Sequence, residues 1–307
     1  PSRFPLADVL RGLFGPASRD WSQAVILWDV RLPYALLAVL VGAALGLAGA
    51  EMQTVLNNPL ASPFTLGISE AAALGASLAI VSAVVFPGEA QSYAIPVFAF
   101  AGAFPACTLI QFLSRAFGAG AQAVILFGIA MVFVCKALIS LVQFVAEADA
   151  LQQIVFWTMG SLGRATWEHI AIVAVVLAVC LPFSMRRVWA MTALRAGEDQ
   201  AASLGIPVEK LRLIVLFRVS VLAGVAVAFA GSIGFIGLVG PHIARLALGE
   251  DHRLYLPGSA LAGAVILSLA SIASKTLIPG VILPVGIVTA LVGVPLFMML
   301  VIRQRHR

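Results

Sequence analysis

The sequence predicts an all-α protein that crosses a membrane about nine times, and three observations predict it. Hydrophobic residues make up 61% of the 307 and charged residues 11%, where a soluble domain carries about a quarter charged; mean hydropathy is +1.05. The apolar residues stand in long blocks bounded by Pro, Gly and short charged clusters, near the roughly 20 residues a helix needs to cross a hydrocarbon core of about 30 Å. Two of those blocks resemble each other. In a bilayer the backbone must satisfy its own hydrogen bonds, which selects helices. The net charge of +5 then reads as Lys and Arg held in cytoplasmic loops rather than as a nucleic-acid surface.

In order, the blocks lie near 32–54, 67–86, 93–114, 121–145, 167–184, 208–231, 234–249, 257–274 and 284–302. Residues 1–30 are mixed and moderately polar, with Trp21 and Trp28 suited to an interface, and hold no apolar core of a signal peptide. The chain begins at Pro1 without a Met, so a segment upstream is expected. The seventh block is short, and "AGSIGFIGLVGP" ahead of it reads as a broken or bent helix. Cys107, Cys135 and Cys180 fall inside apolar blocks with no C-x-x-C pair, as packing residues do.

The charge-dense stretch 186–212 sets the topology. It holds Arg186, Arg187, Arg195, Lys210 and Arg212, and the positive-inside rule places it in the cytoplasm. Counting spans outward from it, Arg115, Arg245, Arg253, Arg303, Arg305 and Arg307 also fall inside, and Arg31, Arg164 and Lys275 fall outside. The C-terminus is then cytoplasmic and residue 1 external.

At an offset of 182, "VLVGAALGLAGA" (39–50) aligns with "VLAGVAVAFAGS" (221–232), six of twelve positions being identical, and Leu56 meets Leu238 and Pro59 meets Pro241. The second copy comes five spans after the first, an odd number, so the copies face opposite ways. Inverted repeats with a Gly/Pro-interrupted segment in each half are typical of transporters. Ala38, Gly42, Gly46 and Ala50 recur every four residues, the spacing that lets helix backbones approach closely; that face is read as packing.

Three segments carry more pattern than a membrane requires: "RLPYALLAVLVGAALGLAGAEMQTVLNNPLASPFTLGIS" (31–69), "RAGEDQAASLGI" (195–206) and "GSIGFIGLVGPHIARLALGEDHRLYLPGSALAGA" (231–264), the last followed by "LPVGIVTALVGVPLF" (283–297). Together they resemble the permeases of iron-siderophore, haem and cobalamin ABC importers, the FecCD/BtuC-like family, from about residue 26 to the end. The resemblance implies a type II ABC importer permease fold of ten helices in one transmembrane domain, with the family's first helix absent from this chain. It implies an inner-membrane location, a second permease, identical or similar, and a dimer of cytoplasmic ATPases. A periplasmic or lipid-anchored binding protein would deliver the substrate. The chain has no G-x-x-x-x-G-K-[ST] phosphate cradle, and no cofactor is expected on it; ATP and Mg belong to the partner ATPase.

By the same resemblance, Gly197, Glu198, Asp199, Ala201, Leu204 and Gly205 belong to a coupling helix that sits in a groove of the ATPase. Arg31 and Lys275 match positions that grip acidic residues of the binding protein. Tyr34 stands at a third where the family often has Arg, so one charge contact is lost or rebuilt, and Lys cannot supply the bidentate geometry of Arg at 275. "FGAGAQ" (117–122) matches a cytoplasmic gate, with Ala119, Gly120 and Ala121 small enough to open and close at little steric cost. "NNPLASP" (57–63) matches a structural cytoplasmic loop.

Glu51, Glu70, Lys136 and Arg218 lie in or near membrane depth, where a central charge costs about 2.5–3.5 kcal/mol on insertion scales. Lys136 and Arg218 depart from the family's apolar positions; Glu51 and Glu70 lie near helix ends where water reaches. Their partners are not legible in the sequence. His242 has no Cys, Asp or second His at ligand spacing, so no metal site is expected. His252 and Arg253 read as loop residues and His306 as part of a basic tail. The expected activity is inward passage of a large ferric chelate, most closely a ferric siderophore, with haem or cobalamin as alternatives within the family. An ion-driven secondary transporter would also show inverted repeats, but would need an acid near the midplane. No catalytic dyad or triad supports a membrane enzyme.

Overall fold

In a computed structural model, residues 25–82, 89–116 and 121–304 are described. Trp21, Ala119, Gly120, Arg305, His306 and Arg307 lie outside them. The apolar blocks form α1 (Leu32–Val55, led in by a π turn over Ile26–Arg31), α2 (Ile68–Val81), α3 (Glu89–Ala116), α4 (Ala121–Val145), α6 (Trp167–Met185), α9 (Val208–Ala230), α10 (Ile236–Leu248), α11 (His252–Thr276) and α12 (Val285–Gln304). Short helices α5 (Ala148–Thr158), α7 (Val188–Leu194) and α8 (Glu198–Ser203) join them. Six helices are long and apolar enough to cross a membrane, and three shorter apolar ones complete the nine expected blocks among the described residues. α5 is an addition: its 11 residues are too few to span and left no block to count.

Local chemistry fixes the ends. Pro33 stands just after the π turn hands over to α1 and, having no N–H, cannot donate to the turn before it. Thr166 accepts from the His169 N–H at 3.2 Å to cap α6, and Asp251 accepts from the Arg253 N–H at 2.9 Å to cap α11. Between α9 and α10 the helix is broken, as expected: Gly231 has φ +74° and Phe235 φ +68°.

α1 is the axis of the bundle. Residues 41–56 are all buried, as a helix apolar on every side should be. It packs on α9, α10 and α11, while α9 packs on α1, α2 and α3. α2 packs on α3 and α4 as α10 packs on α11 and α12, and α3 touches α4 as α11 touches α12. Exchanging α1–α4 with α9–α12 therefore returns the same set of neighbours, which is the inverted repeat in three dimensions. The direction is inverted too: Val55 meets Arg212, and Glu51 meets Arg218, so α1 and α9 run antiparallel.

The offset of 182 does not survive past residue 50. Pro59 lies in the 56–67 loop, whereas Pro241 lies inside α10. Gly49 and Gly231 also occupy aligned positions but do different work. Gly231 takes a left-handed conformation that ends α9. Gly49 is helical, and glycine is needed there because a Cβ would lie 1.9 Å from the Gly237 carbonyl oxygen of α10.

The four-residue stripe of α1 is the seam with α11. A Cβ on Gly42 would stand 2.4 Å from the Gly263 oxygen, and one on Gly46 2.2 Å from the Ser259 oxygen. A matching seam joins α2 to α3: a Cβ on Gly75 would stand 2.0 Å from the Phe98 oxygen, and one on Gly102 2.2 Å from the Ala71 oxygen. Small residues permit this backbone-on-backbone packing in membranes, where no hydrophobic force draws helices together.

Candidate functional site: two charged ends and the span between them

Two groups of cations stand at opposite ends of α1, whose 24 residues reach about 36 Å at 1.5 Å per residue. Its C-terminal end meets α7 and α8, and its N-terminal end meets the end of α11.

At the first end, α7 buries Val188, Met191 and Leu194, three residues apart on one face. α8 buries Ala201 completely, so this small residue of the expected coupling helix faces inward. Gly197 (φ +124°) and Gly205 (φ +79°) flank α8 with open space around both; glycine is required there by backbone conformation alone. The outer face of α7 and α8 carries two large apolar side chains, Leu204 at 54% exposed and Trp189 at 63%, among exposed Glu198, Asp199, Gln200 and Ala202. Glu198 pairs with the Arg212 guanidinium, and Arg212 Nε donates to the Val55 carbonyl oxygen at 3.2 Å. One arginine thus ties α8 to α9 and to the end of α1.

A polar belt continues from this point. His252 is 1% exposed, with Nε2 at 2.8 Å from Thr54 Oγ1 and Nδ1 at 3.1 Å from Thr192 Oγ1. The Thr54 hydroxyl donates to the Ala50 oxygen at 2.8 Å. Nε2 then carries the proton to Thr54, and Nδ1 accepts from Thr192. His252 is therefore a buried bridge between α1, α7 and α11, not the loop residue its sequence position suggested. Arg195 Nη2 lies 2.5 Å from Glu250 Oε1, and Arg245 Nη2 donates to Gln53 Oε1 and to Tyr255 Oη at 3.3 and 3.1 Å. The 57–63 loop holds itself: Asn58 Oδ1 accepts from the Leu60 N–H at 2.8 Å, in line with a structural role.

At the opposite end, Lys275 Nζ stands 3.3 Å above the centroid of the Tyr34 ring, and Arg31 precedes Tyr34 by three residues along the same run of helix. All three residues singled out in sequence come together. Tyr34 is 7% exposed and turns its π face to the ammonium. The Trp167 indole N–H donates to the Trp28 oxygen at 3.2 Å, which brings the Arg164 loop to this same end. Of the expected gate, Ala121 is described, as the first residue of α4, partly buried against the core.

Between the ends, the four intramembrane charges form two pairs. Arg218 Nε donates to both Glu51 oxygens at 2.9 Å, with Glu51 wholly buried. Glu51 is not wet, as its place near a helix end suggested: the turn beyond it is covered by α9 and α10. Lys136 Nζ lies 4.0 Å from Glu70 Oε1, with side-chain exposures of 59% and 16%.

Known proteins agree with this architecture. The model of the FecCD transport family matches residues 1–303. The chain is 39% identical over 298 residues to the hemin transport system permease protein HmuU of Yersinia pestis, covering 97% of this chain and 89% of that one. It is 37% identical over 299 residues to the vitamin B12 import system permease protein BtuC of Citrobacter koseri, covering 94% and 88%. A solved structure described as a metal-chelate type ABC transporter in an inward-facing conformation matches with TM-score 0.85 and 30% identity, over 97% of this chain and 96% of that one. PsaBC from Streptococcus pneumoniae, at TM-score 0.58 and 15% identity, shares the fold alone. The chain belongs to the FecCD transport family, as the multi-span permease of an ABC importer whose ATPase is a separate subunit.

Proposed function

We propose that this permease passes a ferric chelate inward across a bacterial inner membrane, with the α7–α8 end in the cytoplasm, the C-terminus on that side, and the Arg31–Tyr34–Lys275 end outside. A second permease completes the path. ATP and Mg act in the partner ATPase, and this chain needs no cofactor of its own. The observation that carries this reading is α8: a short helix between two glycines that exposes Leu204 and pins its first turn to α9 and α1 through Glu198 and Arg212. Movement of a partner against Leu204 would reach the centre of the bundle through that arginine.

The sequence resemblance favours a ferric siderophore as cargo. Haem is the second reading, favoured by the 39% identity to a permease named for hemin.

Leu204→Asp places a charge at the centre of the expected ATPase contact. Loss of one such anchor costs about 2 kcal/mol, or about 30-fold in association. In proteoliposomes, chelate uptake and stimulation of the ATPase by loaded binding protein should both collapse, while the fold is retained because Leu204 is exposed. Uptake at the wild-type rate would remove the coupling role. Glu198→Gln should give a milder loss, since it loosens α8 without touching its outer face.

Lys275→Glu, at the other end, should slow association with the binding protein about tenfold at low salt and flatten its salt dependence. Tyr34→Leu should produce part of the same loss without any change of charge, because the ammonium loses its support. Association kinetics on immobilised permease test both; equal rates across the three proteins would discard this face as the docking site.

A further inference from the structure

We propose that Lys136 and Glu70 form a recognition point, inside the membrane, for a carboxylate on the chelate being carried. This rests on the chelate-importer reading above and names the chemical class of its cargo. The pair lines a cavity of about 710 Å³, within the size range of small-molecule sites. Phe64, Ile129 and Phe133 come from the first repeat, and Phe235, Leu238 and Val294 from the second. The cavity therefore sits where the inverted halves meet, at the starts of the two short helices α2 and α10, where transporters of repeat architecture place their cargo.

The wall is built for an aromatic or apolar body. Phe64 and Phe235 stack with centroids 6.5 Å apart. Phe235 keeps φ +68°, an unfavourable conformation for a bulky residue. A Cβ at Gly293 would fall 2.4 Å from the Phe235 side chain, so glycine is what leaves room for the ring. Backbone strain and a vacated position together hold one ring in the cavity wall.

Against this wall stands one cation. Lys136 is the sixteenth of the 25 residues of α4, more than a dozen ångströms from either end by helical rise. Charges at such depth are rare and mark the paths of polar cargo. Among the described residues its one ion-pair partner is Glu70, and at 4.0 Å that contact is beyond hydrogen-bond range. The comparison within the same chain is direct: Arg218 and Glu51 close onto each other with 2.9 Å hydrogen bonds and no exposure, as a structural pair does. Lys136 instead keeps its three donors turned to a cavity, with 59% of its side chain exposed. Glu70 stands 4.0 Å from the ammonium without engaging its donors, and a cargo carboxylate can take them.

The test uses haemin and haemin dimethyl ester, which share iron and macrocycle and differ in having free or blocked carboxylates. The full permease, assembled with its ATPase in nanodiscs, is titrated with each and followed by the Soret band, with empty nanodiscs subtracted. Wild type should hold haemin about tenfold more tightly than the ester, the worth of one charge-assisted hydrogen bond. Lys136→Met should erase that preference, Lys136→Arg should keep it, and Glu70→Gln should widen it by removing the competing acid. A wild-type protein with no preference, a Lys136→Met protein that retains it, or a Glu70→Gln protein that loses it would each overturn the proposal. Binding needs no ATP hydrolysis, so the two readings fail separately. Intact preference with no ATP-driven uptake removes the importer reading, and intact uptake with no preference removes only this site.

Discussion

Arg218→Met is expected to destabilise the folded chain by about 3–5 kcal/mol, the cost of leaving one half of a buried ion pair behind. Glu51 is fully buried and Arg218 is 6% exposed. Nε reaches both carboxylate oxygens at 2.9 Å and Nη2 donates to Oε1 as well, a two-donor fork that lysine cannot supply. With Arg218 gone, the Glu51 carboxylate stays buried without the hydrogen bonds the guanidinium supplied. The double variant Glu51→Met with Arg218→Met should recover most of the loss, because a buried pair exchanged whole for apolar groups of similar volume is often nearly free. Thermal unfolding of the two single variants and the double one closes the cycle. Additive losses would mean that the pair is not a unit, and that α1 and α9 are held by packing alone.

Gly49→Val should prevent assembly of the bundle. Its new Cβ would fall 1.9 Å from the Gly237 carbonyl oxygen, and in the same way Gly46 and Gly42 face the backbone of α11 at 2.2 and 2.4 Å. Backbone atoms have no rotamer to yield, so α10 or α11 must move away along its length. The penalty lies at or beyond the top of the about 1–3 kcal/mol of ordinary overpacking. Gly224 is the control: its nearest neighbours are Phe100 ring atoms at 3.1 and 3.2 Å, which can turn aside. Folded yield by size exclusion in detergent should fall sharply for Gly49→Ala and Gly46→Ala and stay near wild type for Gly224→Ala. A normal yield of Gly49→Ala would contradict the seam.

How much of this was legible in the sequence depends on how far apart the interacting residues are. Block length and hydropathy located the nine apolar helices, because each is decided within some twenty neighbouring residues. The glycines bounding α8 and the break at 231–235 were legible for the same local reason. Arg31, Tyr34 and Lys275 were found through resemblance, since nothing local links residue 34 to residue 275. The ion pairs were beyond reach: Glu51 and Arg218 are separated by 167 positions, and helical periodicity says nothing about which helix will stand opposite. His252 was misread because a charged, turn-rich neighbourhood looks exposed, whereas the folded chain lays α1 and α7 over it. The repeat was found from Gly49 and Gly231 among its identities, yet the same residue serves close packing in one copy and a left-handed turn in the other.

The glycine seams also say where this molecule is stiff. They weld α2 to α3, and α1 to α10 and α11, as two blocks whose parts cannot slide without backbone collisions. Where α3 meets α9, rings take part in the contact: Phe104 of α3 meets Phe217 of α9 edge-on at 5.3 Å, and the Phe100 ring faces Gly224. Rings can roll over one another in a way that carbonyls pressed against glycines cannot. A shear of α3 on α9, as between packed helices, would turn rings at Phe104 and Phe217 where the seams would have to part backbones.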